Sequence, residues 1–294
     1  MFSLQGAERI GVISDVHANY VALEAALDYL EGQKPDALLF LGDYITDGPD
    51  PQRTLTLLRQ AAARRPSFFL RGNREQYLLD HADFPEREIW RPRDGSGALL
   101  YTYDRLTAED IAWFRSMPIS HTFDEFIICH GSPARVNELV DVDGRAASSK
   151  TLDRWFSRIQ KPLMICGHTH RQGMQSREVT IANGGSVGLP HDHDSRSRFM
   201  ILNRKDGAWE PELISLSYDT DAILKAYHES ELMEMAPAWT AANCMFLSTG
   251  HNYVLRLLKR LGLLAAERGY GTETPNNELP EELWIQAAQD LNLF

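Results

Sequence analysis

The sequence has little of what would tie it to an oxidising compartment, a membrane or a polyanion. Its three cysteines, Cys129, Cys166 and Cys244, are widely spaced and form no C-x-x-C pair. That excludes a disulfide framework and a thiolate zinc knuckle, and leaves reduced, buried thiols as the expectation. No apolar run approaches the ~20 residues that cross a bilayer. The opening Met1-Phe2-Ser3-Leu4-Gln5-Gly6-Ala7-Glu8 lacks the basic-then-apolar pattern of an export signal, so a soluble cytoplasmic protein is expected. Positive charge is scarce too: 30 Lys and Arg stand against 41 Asp and Glu, a formal net charge of -11. Holding long nucleic acid or an anionic membrane by diffuse attraction needs clustered Lys and Arg, so neither is an expected partner. A small anionic substrate needs a local source of positive charge. There is no internal repeat, no low-complexity stretch, and neither a G-x-G-x-x-G nor a Walker pattern.

What is present is an α/β alternation. The 294 residues, 43% of them hydrophobic, suffice for one large domain or one domain with an appendage. Short apolar runs bounded by turn residues read as buried strands at Ile10 to Ser14, Ala37 to Leu41, Ser67 to Leu70, Phe126 to Cys129, Leu163 to Cys166, Val179 to Ala182 and Phe199 to Leu202. Helices are expected at Val21 to Leu30 and Thr54 to Ala63. From His81 to Ser120 the alternation lapses into an aromatic, charged segment that reads as an insertion or lid. It holds a helix from Thr107 to Met117, capped by Thr107 with Glu109 and Asp110 in its first turn. Beyond about Tyr218 only helices are expected, at Thr220 to Leu232, Thr249 to Ala266 and Glu281 to Asp290. In the middle one Val254, Leu257, Leu258, Leu261 and Leu264 share a face opposite Arg256, Lys259 and Arg260, which suits packing on the parent domain better than a membrane surface.

The chemistry sits at the strand ends. The successive strands close on Asp15-Val16-His17, Gly42-Asp43, Gly72-Asn73, His130-Gly131 and Gly167-His168-Thr169-His170. In a layered α/β domain the carboxyl ends of the strands share one rim, where ligands bind. Singly, each ending has an ordinary explanation: glycine turns reverse the chain and buried histidines are commonly structural. Their repetition behind successive apolar strands does not. Asp15, His17, Asp43, Asn73, His130, His168 and His170 together offer mixed oxygen and nitrogen donors, which suit borderline divalent transition metals better than calcium or a thiolate zinc site. They are too many for one tetrahedral ion. With one carboxylate bridging they make two sites, and a two-metal clamp at ~3.5–4 Å is a standard device for phosphate ester hydrolysis.

The order D-x-H, G-D, G-N, H-G and G-H-x-H resembles that of the calcineurin-like metallophosphoesterases, over about residues 9 to 214. The stretches from Gly42 to Pro51 and from Asn183 to Pro190 also resemble the bacterial branch of small phosphodiesterase-like proteins. The resemblance implies a four-layer α-β-β-α sandwich over residues 1–214, followed by a helical C-terminal extension over 215–294. It implies that Asp15, His17, Asp43 and His170 hold one metal, and that Asp43 bridges to a second held by Asn73, His130 and His168. The ions would be two of Mn, Fe, Ni, Co or Zn, with Mn favoured. Ser186, Val187 and Gly188, in the turn after the next strand, would flank the substrate.

The implied reaction is hydrolysis of P–O bonds in small phosphodiesters or nucleotide phosphoanhydrides by in-line attack of a metal-bridging hydroxide, with Asp43, Asn73, Arg74 and His130 at the catalytic centre. Many relatives read G-N-H-[ED], their histidine serving the leaving group, whereas this chain reads Gly72-Asn73-Arg74-Glu75. Arginine does not release a proton at working pH, so Arg74 can clamp a phosphate oxygen but cannot act as a general acid; its bland alternative is to pair with Glu75 or another neighbour. Leaving groups that need little protonation fit that substitution. Two further features bear on substrate. His191 stands where relatives tend to carry a basic residue, although it and His193 also read as a solvated loop. Trp90, Arg91, Arg93, Tyr101, Tyr103 and Trp113 in the 81–120 segment can stack a nucleotide base or simply pack against the sheet, the second being the more ordinary use. The rival functions are a phosphomonoesterase or protein phosphatase and, from another class, a non-catalytic protein-binding scaffold on the same fold.

Overall fold

The apolar runs become the centres of two sheets. The computed structural model describes residues 4–87, 90–93, 95–142, 150–191 and 193–294. Strands β1 (Arg9–Ile13), β2 (Ala37–Phe40), β3 (Ser67–Phe69), β4 (Ser120–Thr122), β5 (Phe126–Cys129), β6 (Leu163–Cys166), β7 (Gln172–Ser176), β8 (Thr180–Gly184), β9 (Ser197–Lys205) and β10 (Ala208–Leu216) are ordered β10-β9-β1-β2-β3 in one sheet and β4-β5-β6-β8-β7 in the other. Their cores, β1-β2-β3 and β5-β6-β8, are parallel, so the ligand-bearing loops that follow these strands gather at one rim. Of the four edge strands, β4, β7 and β10 pair antiparallel, while β3 is parallel to β2.

Side-chain alternation along the strands generates the layers. Ile10, Val12, Leu39 and Leu41 meet Phe126, Ile128, Leu163 and Ile165 between the sheets. On the opposite face of the first sheet Ile13 and Phe40 pack under Leu23 and Leu30 of α1 (Tyr20–Gln33), Leu55 and Leu58 of α2 (Pro51–Arg64), Leu78 of α3 (Asn73–Asp83) and Phe114 of α5 (Ala108–Ser116). Between α3 and α5 lies α4 (Gly97–Tyr103). The far face of the second sheet buries Met164 and Ile181 against Leu152 and Trp155 of α6 (Lys150–Phe156). The result is the four-layer α-β-β-α sandwich that the resemblance implied. Caps explain the helix starts nearest the rim: Asn19 accepts from Ala22 N, and Asp50, just ahead of Pro51, accepts from Arg53 N.

Strands β4, β7 and β10 were not anticipated. They are edge strands of mixed polarity, made by pairing rather than by apolar content. Among the C-terminal helices α7 (Thr220–Glu229), α8 (Leu232–Met235), α9 (Pro237–Thr249), α10 (Tyr253–Glu267) and α11 (Glu281–Asp290), α9 was also missed. It buries Ala238, Thr240, Ala241, Ala242, Asn243, Cys244, Phe246 and Leu247, so it shows no apolar stripe to read. The helix expected from Thr249 begins at Tyr253, because Gly250 ends α9 in the left-handed region at φ 73°. Its apolar face is covered by the chain's own helices: Leu257, Leu261 and Leu264 pack on Ala238 and Ala242 of α9 and on Leu283, Trp284 and Ala287 of α11. Among the described residues no helix is long and apolar enough to cross a membrane.

This packing makes a contrast on one helix. Leu261→Ala should lower unfolding stability by about 2–5 kcal/mol, while Leu255→Ala, at a site 54% exposed, should stay within about 0.5 kcal/mol of the parent. Urea unfolding midpoints measure both, and equal losses would contradict the packing.

Candidate metal centre

The rim is built on backbone that most residues avoid. Asp15, His17, Asp43, His168 and His170 have φ of 54°, 50°, 56°, 66° and 57°, in the left-handed region. Such positions cost of order 1–3 kcal/mol each and persist where the surroundings over-determine them. Here the gain is direction: the chain leaves each strand and turns its next side chain back over the rim. Backbone bonds then lock the loops together, from Asp15 N to Gly42 O at 3.0 Å, His17 N to Asp43 O at 3.0 Å and Gly167 N to His130 O at 2.8 Å. Gly42, at φ 106°, lets the ends of β2 and β3 touch, since a Cβ there would lie 2.6 Å from Gly72 Cα.

The convergence expected from sequence is present. Asp15, His17, Asp43 and His170 form one group of facing donor atoms, and Asp43, His130 and His168 a second, with Asp43 common to both. Asn73 joins the second group, its Oδ1 3.0 Å from His130 Nε2. Each carboxylate has one oxygen fixed and the other aimed inward. Asp15 Oδ2 accepts from Ser14 Oγ and, at 3.0 Å, from His168 N, while Oδ1 is buried without a hydrogen bond. Asp43 Oδ1 accepts from Arg74 N at 2.8 Å, leaving Oδ2 3.4 Å from His130 Nε2 and 3.8 Å from His17 Nε2.

The imidazoles are fixed in the same way. Nδ1 of His130 donates to Leu41 O at 2.8 Å, Nδ1 of His170 to Leu189 O at 2.6 Å, and Nδ1 of His17 to Asp47 Oδ2 at 2.9 Å. With the proton on Nδ1, each Nε2 presents a lone pair. Yet His17 Nε2 and His170 Nε2 face each other at 3.0 Å, and His170 Nε2 lies 3.2 Å from Asp15 Oδ1. Acceptors face acceptors throughout. Divalent cations reconcile such a set, and the mixed imidazole, carboxylate and amide donors fit transition metals.

Electrostatics agree. Burial disfavours charge on Asp15 and Asp43, but His170 and His130 beside the first and His130 beside the second hold both well below the usual carboxylate range. Burial likewise disfavours charge on His130, and Asp43 and Asp15 outweigh it, pushing the imidazole up to about 9. His168 goes the other way, to about 4, through burial and the neighbouring His130.

The remaining expected residues divide. Arg74 does pair with a neighbour, though with Asp47 rather than Glu75: its Nη2 lies 3.2 Å from Asp47 Oδ2, beside His17. Glu75, raised to about 7 by burial and by Asp43, accepts from the backbone N–H groups of Asp43, Tyr44 and Gly72 at 2.9, 2.8 and 2.9 Å and so holds the loops after β2 and β3. Ser186, Val187 and Gly188, expected to flank the substrate, are instead buried and brace the loop after β1. Ser186 Oγ and Gly188 N both donate to Asp15 O, Val187 N donates to Ser14 O, and these donors are thereby used up. His191 is not a solvated loop residue: it stacks on His170 at 4.4 Å, and burial lowers its pKa well below the usual imidazole value. Exposed His193 faces His251 at 6.1 Å.

The aromatic segment also took its more ordinary use. Trp90 stacks on His81 at 4.0 Å, Trp113 packs edge-on to Phe69 at 5.1 Å, Tyr103 joins the Trp90 pair, and Tyr101 OH donates to Pro49 O at 2.5 Å. Arg93 pairs with Glu281. Sequence reasoning missed the groups behind the ligands: Ser14, Asp47 and, from the C-terminal helices, Tyr227 and Trp239. Their roles depend on contacts across as many as 192 positions, as for Trp239 and Asp47, which no local spacing signals.

Two expectations test the geometry. A Cβ on Gly167 would collide with Ser14 Oγ and lie 2.7 Å from Asp15 Oδ2, so Gly167→Ala should weaken manganese binding by about tenfold or more in equilibrium dialysis. Binding at the parent level would contradict the packing. For pH, His130 stands at about 9 against an ordinary 6.5. Its contribution to stability in the metal-free protein is therefore full below pH 6.5 and lost as pH rises through 9. Thermal unfolding should show that decline without metal and a flatter profile with saturating manganese; a flat metal-free profile would count against it.

Comparison with known proteins places this geometry. The calcineurin-like phosphoesterase profile matches residues 8–172, which include Asp15, His17, Asp43, Asn73, His130, His168 and His170. The chain is 25% identical over 252 residues to an uncharacterized protein of Methanocaldococcus jannaschii, MJ0912, covering 78% of this chain and 94% of that protein. Over 122 residues it is 30% identical to a symmetrical bis(5'-nucleosyl)-tetraphosphatase of Methylococcus capsulatus, covering 41% of this chain and 42% of that protein. In three dimensions it superposes on a metallophosphoesterase from Sphaerobacter thermophilus with a TM-score of 0.64 and 24% identity, over 83% of this chain and all (100%) of that one. With a family profile spanning more than half its length and the corresponding ligands gathered at one rim, the chain belongs to the calcineurin-like phosphoesterase family.

Proposed function

We propose that the protein hydrolyses P–O bonds of small phosphodiesters or nucleotide phosphoanhydrides with a pair of divalent transition cations, manganese favoured. Asp15, His17, Asp43 and His170 would hold one cation, and Asp43, Asn73, His130 and His168 the other. The observation that carries this reading is the sharing of Asp43 between the two donor groups. When bound, the cations would supply a water activated near neutral pH and positive charge for the phosphate oxygens.

The protein's own groups do the rest. Asn73 and His130, fixed against each other at 3.0 Å, hold position so that little reorganisation is needed during reaction. Arg74 sits at the first turn of α3 with its guanidinium next to Asp47, 21% exposed and within reach of the rim. Burial opposes its charge, but Asp47 and Asp43 outweigh that and raise its pKa further. It stays charged and can clamp an anionic oxygen, but it cannot protonate a leaving group. That favours substrates whose leaving groups depart with little protonation. The tetraphosphatase relative acts, by its name, on a nucleotide phosphoanhydride, which is consistent with that class. The complete ligand set argues against a scaffold without catalysis.

A panel with the manganese-loaded protein decides the class: bis-p-nitrophenyl phosphate, a dinucleoside tetraphosphate and p-nitrophenyl phosphate. The expected order places a diester or the anhydride at least about tenfold above the monoester in kcat/KM, with Arg74→Ala reducing the best activity by roughly 10²-fold. A monoester preference would overturn the substrate class, and an unchanged Arg74→Ala rate would overturn the clamp.

A further inference from the structure

Asp47 belongs to neither donor group, yet it touches both a metal-ligand candidate, His17, and Arg74. It is buried, 2% exposed, and sits at φ 71°. Its Oδ2 accepts from His17 Nδ1 at 2.9 Å and from Thr46 Oγ1 at 2.9 Å, and lies 3.2 Å from Arg74 Nη2. One carboxylate oxygen thus sets the tautomer of a metal ligand and the aim of the arginine next to it. A buried carboxylate can do this only if its own rotation is stopped. The stop comes from the C-terminal helices. Trp239 of α9 donates its indole N–H to Asp47 Oδ1 at 2.9 Å, and Tyr227 of α7 donates its hydroxyl to Asp47 O at 2.8 Å.

We propose that Trp239 and Tyr227 are positioning residues of the metal centre, acting through Asp47 on His17 and Arg74, so that the C-terminal helices are a working part of the site. The two donors grip the residue at both ends, side chain and backbone. They fix the carboxylate plane with one oxygen turned to the indole and the other to His17 and Arg74. Without the indole N–H, Oδ1 becomes a buried acceptor with no donor, and the carboxylate can turn toward the guanidinium and away from His17. His17 then loses the bond that keeps its proton on Nδ1, and its Nε2 becomes a poorer ligand. Tyr227, fully buried, and Trp239 also pack in the surrounding apolar clusters, so a purely structural role is the rival explanation. Trp284 offers the control: it lies edge-on to Trp239 at 6.4 Å in the same cluster, and its indole donates to Asn276 O instead.

The proposal rests on the metallophosphoesterase reading only for its activity arm; its metal arm is independent. Trp239→Phe, Tyr227→Phe/Trp239→Phe, Asp47→Asn and Trp284→Phe would be compared in the full-length protein. The readouts are manganese affinity by equilibrium dialysis, the visible spectrum of the cobalt-substituted protein, and kcat and KM with the best substrate of the panel. Trp239→Phe should weaken manganese binding by about tenfold, the double variant and Asp47→Asn more, with a changed cobalt spectrum and a raised KM as Arg74 loses its aim. Trp284→Phe should leave affinity and spectrum at the parent values even where it lowers the unfolding temperature. Should the double variant fail to fold, the single Trp239→Phe substitution carries the decision. Affinity and spectrum in Trp239→Phe indistinguishable from Trp284→Phe would overturn the proposal. A parent protein that binds manganese but hydrolyses no phosphate ester would instead sink the functional reading, and the affinity ranking would still judge the network.

Discussion

Everything at the rim depends on acceptors being held against acceptors. Nε2 of His17, His130 and His170, Oδ1 of Asp15, Oδ2 of Asp43 and the amide oxygen of Asn73 all point into one buried space. Left alone, such an arrangement would relax by rotating rings and carboxylates. The surrounding structure forbids that for the three imidazoles and the two carboxylates, because the second atom of each is already bonded elsewhere, to Leu41 O, Leu189 O, Asp47, His168 N or Arg74 N. The left-handed backbone at five of the ligands is the steric cost of aiming them. Glu75, bridging three backbone N–H groups, keeps two of the strand-end loops from drifting apart. The stacked sheets, the caps of α1 and α2 and the buried cluster between the sheets give these loops a rigid base.

The charge pattern acquires a local meaning from this. A chain of net charge -11 has no general attraction for phosphate, and steering by a broad positive field is absent. On the proposed function, affinity for a phosphate ester would come from the rim itself, from cations in the two donor groups and from Arg74. Asp47 tempers that arginine. It keeps the guanidinium charged and fixed while satisfying part of its hydrogen-bonding capacity. Arginine at position 74 brings permanent charge, and its pairing with Asp47 fixes its aim.

The features of the protein that were legible in the sequence share one property: they repeat. Apolar strands followed by polar endings announced β1, β2, β3, β5 and β6, and the convergence of Asp15, His17, Asp43, Asn73, His130, His168 and His170 followed from topology alone. What could not be read depended on distant partners. The edge strands β4, β7 and β10 exist because neighbours pair with them, and α9 is buried on so many sides that it carries no stripe. Ser186, Val187 and Gly188 were expected to flank the substrate, and their service to Asp15 and Ser14 of the loop after β1 was not foreseen. Asp47 lay within a stretch already noticed for its resemblance, but its role became visible only once Trp239 and Tyr227 arrived from the other end of the chain.

The proposed sharing of Asp43 by two cations is open to direct observation. Anomalous diffraction from crystals of the manganese-loaded protein, recorded on either side of the manganese absorption edge, addresses it directly. The account predicts two manganese peaks about 3.5–4 Å apart, with Asp43 bridging, Asp15, His17 and His170 on one, and Asn73, His130 and His168 on the other. A single peak at full occupancy, or two peaks without Asp43 between them, would contradict it.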